Sequence, residues 1–308
     1  MSFLRKYVLL LLLPGLFACQ RPEKKENVNP SNTNMVNQKI DWQGHRGARG
    51  LLPENTIPAF LEALKYPITT LELDVVITKD EQVLISHEPW LSPEICVQAN
   101  GEEIPESEPP TYLIMDMDYE QIQTFNCGQQ APGFPEQQPM GVAKPLLVDM
   151  IDAVEKYCRE NDRELPHYNI EIKSRKAWDG ELTPQPERFA ALLLAVLTKK
   201  GIVDRTCIQS FDVRSLEAVH QQRPQMTTAY LVGEPGSLAS KLDLLSFTPT
   251  IYSPYYKLLS EAVVSDLHER DIRVIPWTVN DSEAMRQLVE MGVDGIITDY
   301  PNRIPAIN

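Results

Sequence analysis

Thr70-Leu71-Glu72-Leu73-Asp74-Val75-Val76-Ile77 is separated by Thr78-Lys79-Asp80-Glu81 from a second β-rich run, Val83 to His87. That gap is far too short for a parallel crossover, so the two runs form a hairpin. With the turn centred on Lys79 and Asp80, the antiparallel register sets Glu72 roughly opposite His87. Residues i and i+2 of a strand point to the same side, so Leu73 faces outward while Glu72 and Asp74 face inward together. Glu171 and Lys173 share that arrangement around Ile172 in Asn169-Ile170-Glu171-Ile172-Lys173.

Outward from this hairpin, short β-rich runs alternate with amphipathic helical stretches, the pattern of parallel βα units. The strands are expected at residues 42–46, 70–77, 168–173, 207–210, 228–232, 251–254, 273–277 and 295–298. Helical patterns fall between them at 58–65, 147–158, 187–199, 212–222, 261–270 and 282–291. That count closes a (β/α)8 TIM-type barrel spanning residues 40–308. Residues 90–145, Pro-rich and weakly periodic, are too long for a simple loop and read as an insertion after the hairpin that covers the barrel mouth, with a short helix expected at 118–125.

The chain has 308 residues, 43% of them hydrophobic, which is enough to bury a real core and excludes disorder throughout. A formal net charge of −14 argues against nucleic acid as partner, so any phosphate must be held locally, by a metal on carboxylates or by a few basic side chains. Residues 1–19 read as an export signal: Arg5 and Lys6, then an apolar run over 7–13, then Leu16-Phe17-Ala18-Cys19. The segment resembles a bacterial lipoprotein signal, which makes Cys19 the lipidated residue. Residues 20–39, polar with almost nothing to bury, then form a tether. The expected location is exported and membrane-anchored, on the periplasmic side or the cell surface. Disulfides persist in such compartments. Cys158 and Cys207 sit in regular elements and read as buried thiols, whereas Cys96 and Cys127 lie in the insertion, where a staple helps most.

Barrel chemistry sits at the C-terminal strand ends. Gly44-His45-Arg46-Gly47, Glu72-Leu73-Asp74, Ser86-His87-Glu88 and Glu171 with Lys173 all fall there. Glu72, Asp74 and Glu171, packed inward, repel one another unless a cation compensates them, and oxygen-only ligands select Ca²⁺ or Mg²⁺. The bland alternative is burial in ion pairs with Arg or Lys. Two of the five histidines, His45 and His87, belong to this set and suit proton transfer near neutral pH. Phosphodiester hydrolysis needs a general acid, a general base and cationic groups on the phosphoryl oxygens, and two histidines, a metal, Arg46 and Lys173 meet that requirement. Thr56 reads as a helix cap, Asn55 as either a cap or a substrate contact, and Trp277 as an apolar wall or core. Asp294 and Asp299 read as strand terminators rather than metal ligands.

The ordered set Gly44-His45-Arg46-Gly47-Ala48, Pro53-Glu54-Asn55-Thr56, Glu72-Leu73-Asp74-Val75, Ser86-His87-Glu88, Asn169 to Lys173, Gln209-Ser210-Phe211 and Pro276 to Asn280 resembles the glycerophosphodiester phosphodiesterase family over nearly all of residues 40–303. The resemblance implies hydrolysis of small-molecule glycerophosphodiesters to sn-glycerol 3-phosphate and an alcohol. By position it makes His45 and His87 the acid and base, Glu72, Asp74 and Glu171 the metal ligands, and Arg46 and Lys173 phosphate contacts. Family members often carry an Asp after the second histidine, where this chain has Glu88. The rival readings are a phospholipase of similar barrel architecture acting on intact lipids, and a non-catalytic lipoprotein that binds polyol phosphates.

Overall fold

The computed structural model describes residues 40–306, so Cys19, the signal segment and the whole of the tether lie outside the described residues. Nine strands form one sheet: β1 (Asp41–Gly44), β2 (Thr70–Ile77), β3 (Val83–Ile85), β4 (His167–Ile172), β5 (Thr206–Ser210), β6 (Thr227–Val232), β7 (Ile251–Pro254), β8 (Arg273–Val274) and β9 (Gly295–Thr298). Their order is β8-β7-β6-β5-β4-β2-β1-β9, all parallel, with β3 appended to β2 alone. Backbone hydrogen bonds Asp294 N–H to Val274 O (2.9 Å), Ile297 N–H to Pro276 O (3.0 Å) and Val279 N–H to Ile297 O (2.9 Å) bridge the seam between β8 and β9. Eight parallel strands thus make a nearly closed (β/α)8 barrel. β8 is shorter than the sequence pattern suggests because Pro276 has no N–H to give to the ladder, although Trp277 N–H still reaches Pro254 O at 3.1 Å.

Each strand is buried because its outward residues meet a helix. Leu71, Leu73, Ile170, Ile172 and Ile208 are fully buried against apolar faces such as Ile151 and Val154 of helix Leu147–Glu160 and Leu193 and Leu197 of helix Pro186–Lys200. Pro186 opens its helix where the missing N–H costs nothing, and Gly201 ends it in the left-handed region at φ 68°. A short helix, Leu238–Leu242, also follows β6, where the sequence pattern gave no helix. With its five residues and no buried side chain, it leaves no apolar periodicity to read.

The barrel interior is divided. Ala229, Ile251, Ile275 and Ile297 form one apolar patch. Opposite them, amides run in series: Gln209 Nε2 donates to Glu72 Oε1 (2.7 Å), Asn169 Nδ2 to both Gln209 Oε1 (3.1 Å) and Gln43 Oε1 (2.8 Å), and Gln43 Nε2 to Asp41 Oδ2 (2.7 Å). A carboxylate at the barrel mouth is therefore tied to the opposite end through buried donors.

The insertion has its own core of Leu91, Ile95, Ile104, Ile114, Ile122 and Phe125 beside Val76 and Leu84 of the hairpin. Its helix is a single turn, Tyr119–Ile122. Cys96 and Cys127, separated by 31 residues, form a disulfide inside this core, while Cys158 and Cys207 are free. A closed loop of this length removes about 3–4 kcal/mol of unfolded-state freedom. Replacing both cysteines by Ala is expected to destabilise the chain by roughly that amount in denaturant titration, with the loss absent when both proteins are compared under reducing conditions.

Candidate active site

The residues after β1 turn sharply. Arg46 (φ 50°) and Gly47 (φ 83°) are both in the left-handed region, and a Cβ on Gly47 would stand 2.6 Å from the Ala59 carbonyl carbon, so only glycine fits beneath helix Ile57–Ala63. Thr56 caps that helix through the Ala59 N–H (3.3 Å). The turn aims His45 and Arg46 into a cavity of about 290 Å³ over the strand ends, lined also by Arg49, Glu72, His87, Glu171, Lys173, Gln209, Phe211 and Trp277.

Glu72, Asp74 and Glu171 come together here. All three are buried, and one carboxylate oxygen from each lies within 4.8 Å of the others. Burial raises the Glu72 carboxyl well above its usual range, and the neighbouring Asp74 charge adds to this. Burial likewise raises Glu171, partly offset by Lys173, whose Nζ is 2.8 Å from Glu171 Oε1. Asp74 goes the other way: burial opposes its charge, but Arg46, with Nε at 3.1 Å, holds it well below the usual value. The cluster is thus partly ion-paired and still short of positive charge, and Asp74 Oδ1, though buried, has no hydrogen-bond donor. Such a set, all oxygen, fits a hard divalent cation.

Each histidine is backed by a carboxylate. His45 Nδ1 lies 2.6 Å from Asp299 Oδ1, and His87 Nδ1 lies 2.5 Å from Glu88 Oε1. An ionised carboxylate only accepts, so each Nδ1 carries its proton and each Nε2 is left for the cavity. Burial lowers the His45 pKa, although Asp299 works to raise it. Burial works to raise Asp299 as well, and the His45 charge and hydrogen bond bring it down to about 2. Glu88 also ends at about 2, its burial outweighed by the hydrogen bond and charge of His87. The longer Glu88, where the resemblance implies an Asp, therefore still reaches the ring.

The hairpin register differs by one residue from expectation. The pairs are Val75 with Ile85, Val76 with Leu84 and Ile77 with Val83, closed by Thr78 N–H to Gln82 O at 3.1 Å. The turn centres on Asp80, so Glu72 does not stand opposite His87. The ladder ends at Ile85, and His87 reaches the cavity from the loop beyond it. Asn55 is a second correction. It neither caps the helix nor lines the cavity, because at φ 56° it folds back: its Nδ2 donates to Asp74 Oδ2 (2.9 Å) and its Oδ1 accepts the Asp74 N–H (3.3 Å). Trp277 does form cavity wall, edge-on to Phe211 with ring centroids 5.4 Å apart and its Nε1 donating to Ser253 O.

The cavity also depends on residues that sequence reasoning missed. Asp299 sits at a C-terminal strand end, where the rule used for the others would have found it. Asn280 Nδ2 donates to Asp299 Oδ2 (2.7 Å) and fixes that carboxylate. Glu54 accepts from Arg46 Nη1 at 2.7 Å. Lys144, only 3% exposed, comes from the end of the insertion, where Ile85 N–H bonds Pro145 O, and burial lowers its pKa against the pull of Glu88.

The sequence pattern of the Glycerophosphoryl diester phosphodiesterase family matches residues 45–303. The chain belongs to that family. It is a phosphodiesterase, and its curated relatives include a glycerophosphodiester phosphodiesterase of Bacillus subtilis, 29% identical over 268 residues covering 84% of this chain and 83% of the relative. Among solved structures, a candidate glycerophosphoryl diester phosphodiesterase of Silicibacter pomeroyi is 28% identical, with a TM-score of 0.77 over 86% of this chain and 92% of the other. A phosphodiesterase of Oleispira antarctica, solved in complex with the product sn-glycerol-3-phosphate, shares the fold with a TM-score of 0.67 at 20% identity, over 86% of this chain and 94% of the other.

If Asp299 sets the tautomer of His45, Asp299→Asn turns an amide toward Nδ1 and loses roughly 10²-fold or more in kcat while KM changes little. Steady-state kinetics on a glycerophosphodiester decide this, and a loss confined to KM would place Asp299 outside the proton path.

Proposed function

We propose that this phosphodiesterase hydrolyses glycerophosphodiesters to sn-glycerol 3-phosphate and an alcohol, with a Ca²⁺ or Mg²⁺ ion held by Glu72, Asp74 and Glu171 and with His45 and His87 moving the protons. The observation that carries the reading is the pairing of two carboxylate-backed imidazoles with a buried three-carboxylate cluster around one cavity. Family membership and the product bound by the Oleispira antarctica protein support the choice of substrate.

Glu72, Asp74 and Glu171 would hold the cation, which when bound would supply Lewis-acid charge to the phosphoryl oxygens. The side chains do the rest. Burial favours the neutral form of His45, so its Nε2 accepts the proton of the attacking hydroxyl or water. His87, whose Nδ1 proton is held by ionised Glu88, donates from Nε2 to the departing alcohol oxygen. Lys173 and Arg46 line the cavity and add positive charge beside the phosphate, while Phe211 and Trp277 give the carbon skeleton an apolar wall.

Charge supports the cation. Glu54, Glu72, Asp74, Glu88, Glu171 and Asp299 outnumber Arg46, Arg49, Lys144 and Lys173 by two, which one divalent ion offsets. A phosphodiester then adds one negative charge, matched by one protonated imidazole. The signal-like residues 1–19 support anchoring at Cys19 outside the cytoplasm, and no helix among the described residues is long and apolar enough to cross a membrane.

The test is product analysis with the full chain in detergent, Ca²⁺ or Mg²⁺, and glycerophosphocholine. Glycerol 3-phosphate and choline should appear together. Release of glycerol and phosphocholine, or no turnover with either ion, defeats the proposal.

A further inference from the structure

Three basic side chains line the cavity, and they differ in how many of their donors are already used. Arg46 gives Nη1 to Glu54 (2.7 Å) and has Nε 3.1 Å from Asp74, and it is 8% exposed. Lys173 Nζ lies 2.8 Å from Glu171 and 3.8 Å from Asp74. Arg49 has one ion pair, Nε to Glu54 Oε2 at 2.5 Å, and neither of its Nη atoms has an acceptor among the described residues. Four of its five N–H donors are therefore open, on a side chain 22% exposed that faces the cavity.

The position of Arg49 is built from both sides. The insertion places the Phe134 ring 4.4 Å from the guanidinium carbon, a cation–π platform for the fork. Buried Gln137 donates Nε2 to the Arg49 carbonyl (2.7 Å) while its Oε1 accepts the Ala131 N–H (2.7 Å). On the barrel side, the next residue, Gly50, donates its N–H to the Asp299 carbonyl (2.8 Å), so Arg49 stands on the His45 flank of the cavity. A guanidinium seated over an aromatic ring, paired once through Nε and open at both Nη groups is prepared for an oxyanion.

We propose that Arg49 is a substrate-binding residue, its two Nη groups taking an oxyanion of the substrate on the His45 flank. This rests on the phosphodiester reading above. The oxyanion comes either from the scissile phosphate or from an anionic substituent on the departing alcohol. Both present the oxygens that a guanidinium fork fits.

Three glycerophosphodiesters separate the sources, with choline, glycerol or glycerate as the alcohol. R49Q is expected to raise KM about tenfold to a hundredfold with kcat nearly kept. An equal rise for all three assigns the scissile phosphate, and in that case calorimetric affinity for inorganic phosphate falls by the same factor. A rise for the glycerate diester alone assigns the alcohol. R49K, which keeps the charge and can still pair Glu54 but lacks the fork, should recover only part of the loss. Unchanged KM on all three substrates, or complete recovery in R49K, overturns the proposal, since the latter shows that Arg49 serves only to pair Glu54. Should R49Q not fold, F134L removes the platform alone and should raise KM in the same substrate pattern; unchanged KM there overturns the proposal. If wild type cleaves none of the three diesters, the phosphodiester reading fails, and the phosphate affinities of wild type and variant still decide whether Arg49 binds an oxyanion.

Discussion

His87→Asn is expected to lower kcat by roughly two to four orders of magnitude with little change in melting temperature, because the proposed mechanism makes the imidazole the proton donor and its side chain is 30% exposed on a loop. His45→Asn should lose as much in kcat and should also destabilise. Its ring is 14% exposed, and removing it takes the partner from buried Asp299 Oδ1, although Asn280 still holds Oδ2. A buried acceptor left unpaired costs about 1–3 kcal/mol. The two variants thus share a kinetic loss and differ in stability, and stopped assays with thermal melts on the same preparations measure both. Near-normal turnover in either variant would mean that the proton moves through another group.

The positions and order of the barrel strands could be read from the sequence because each strand end is marked locally. Glu72 and Asp74, two apart, share a face whatever surrounds them, and so do Glu171 and Lys173. The hairpin register was less accessible. Whether Thr78 pairs with Gln82 or with Glu81 depends on one backbone hydrogen bond, and moving it by one residue exchanges the faces of a strand. Asp299 does follow the end of its strand and stays out of the carboxylate cluster, but its contact with His45 escapes the sequence for another reason. An Asp after a strand terminates it in most settings, and its partner His45 is 254 residues away in sequence. Asn55 was ambiguous because Asn suits both a cap and a left-handed turn, and only the position of Asp74 decides between them. Lys144 and Phe134 lie in the insertion, where no periodicity indicates which side chains turn toward the barrel.

Removing divalent ions with a chelator is expected to lower turnover by about a thousandfold or more, since the Lewis-acid contribution amounts to several kcal/mol and each 1.4 kcal/mol is a factor of ten. The structure also predicts an effect independent of turnover. Without an ion, Glu72 and Glu171 are buried carboxyls raised by burial, and Arg46 and Lys173 are shared among Glu54, Asp74 and Glu171. An ion that binds this folded cluster and not the unfolded chain stabilises by about 2.7 kcal/mol at a hundred times its Kd. Adding Ca²⁺ or Mg²⁺ to chelator-treated protein should therefore raise the melting temperature in a saturable way. Glu171→Gln tests the ligand set most cleanly, because the amide keeps the shape and an oxygen while removing one charge. In that variant the ion-induced rise should shrink or vanish, and the melting temperature without ion should stay level or increase as the repulsion with Asp74 is relieved. A chelator-treated wild type whose melting curve ignores both ions would leave the three acids as a buried ion-pair network with Arg46 and Lys173, and the proposed metal-dependent mechanism would fail with it.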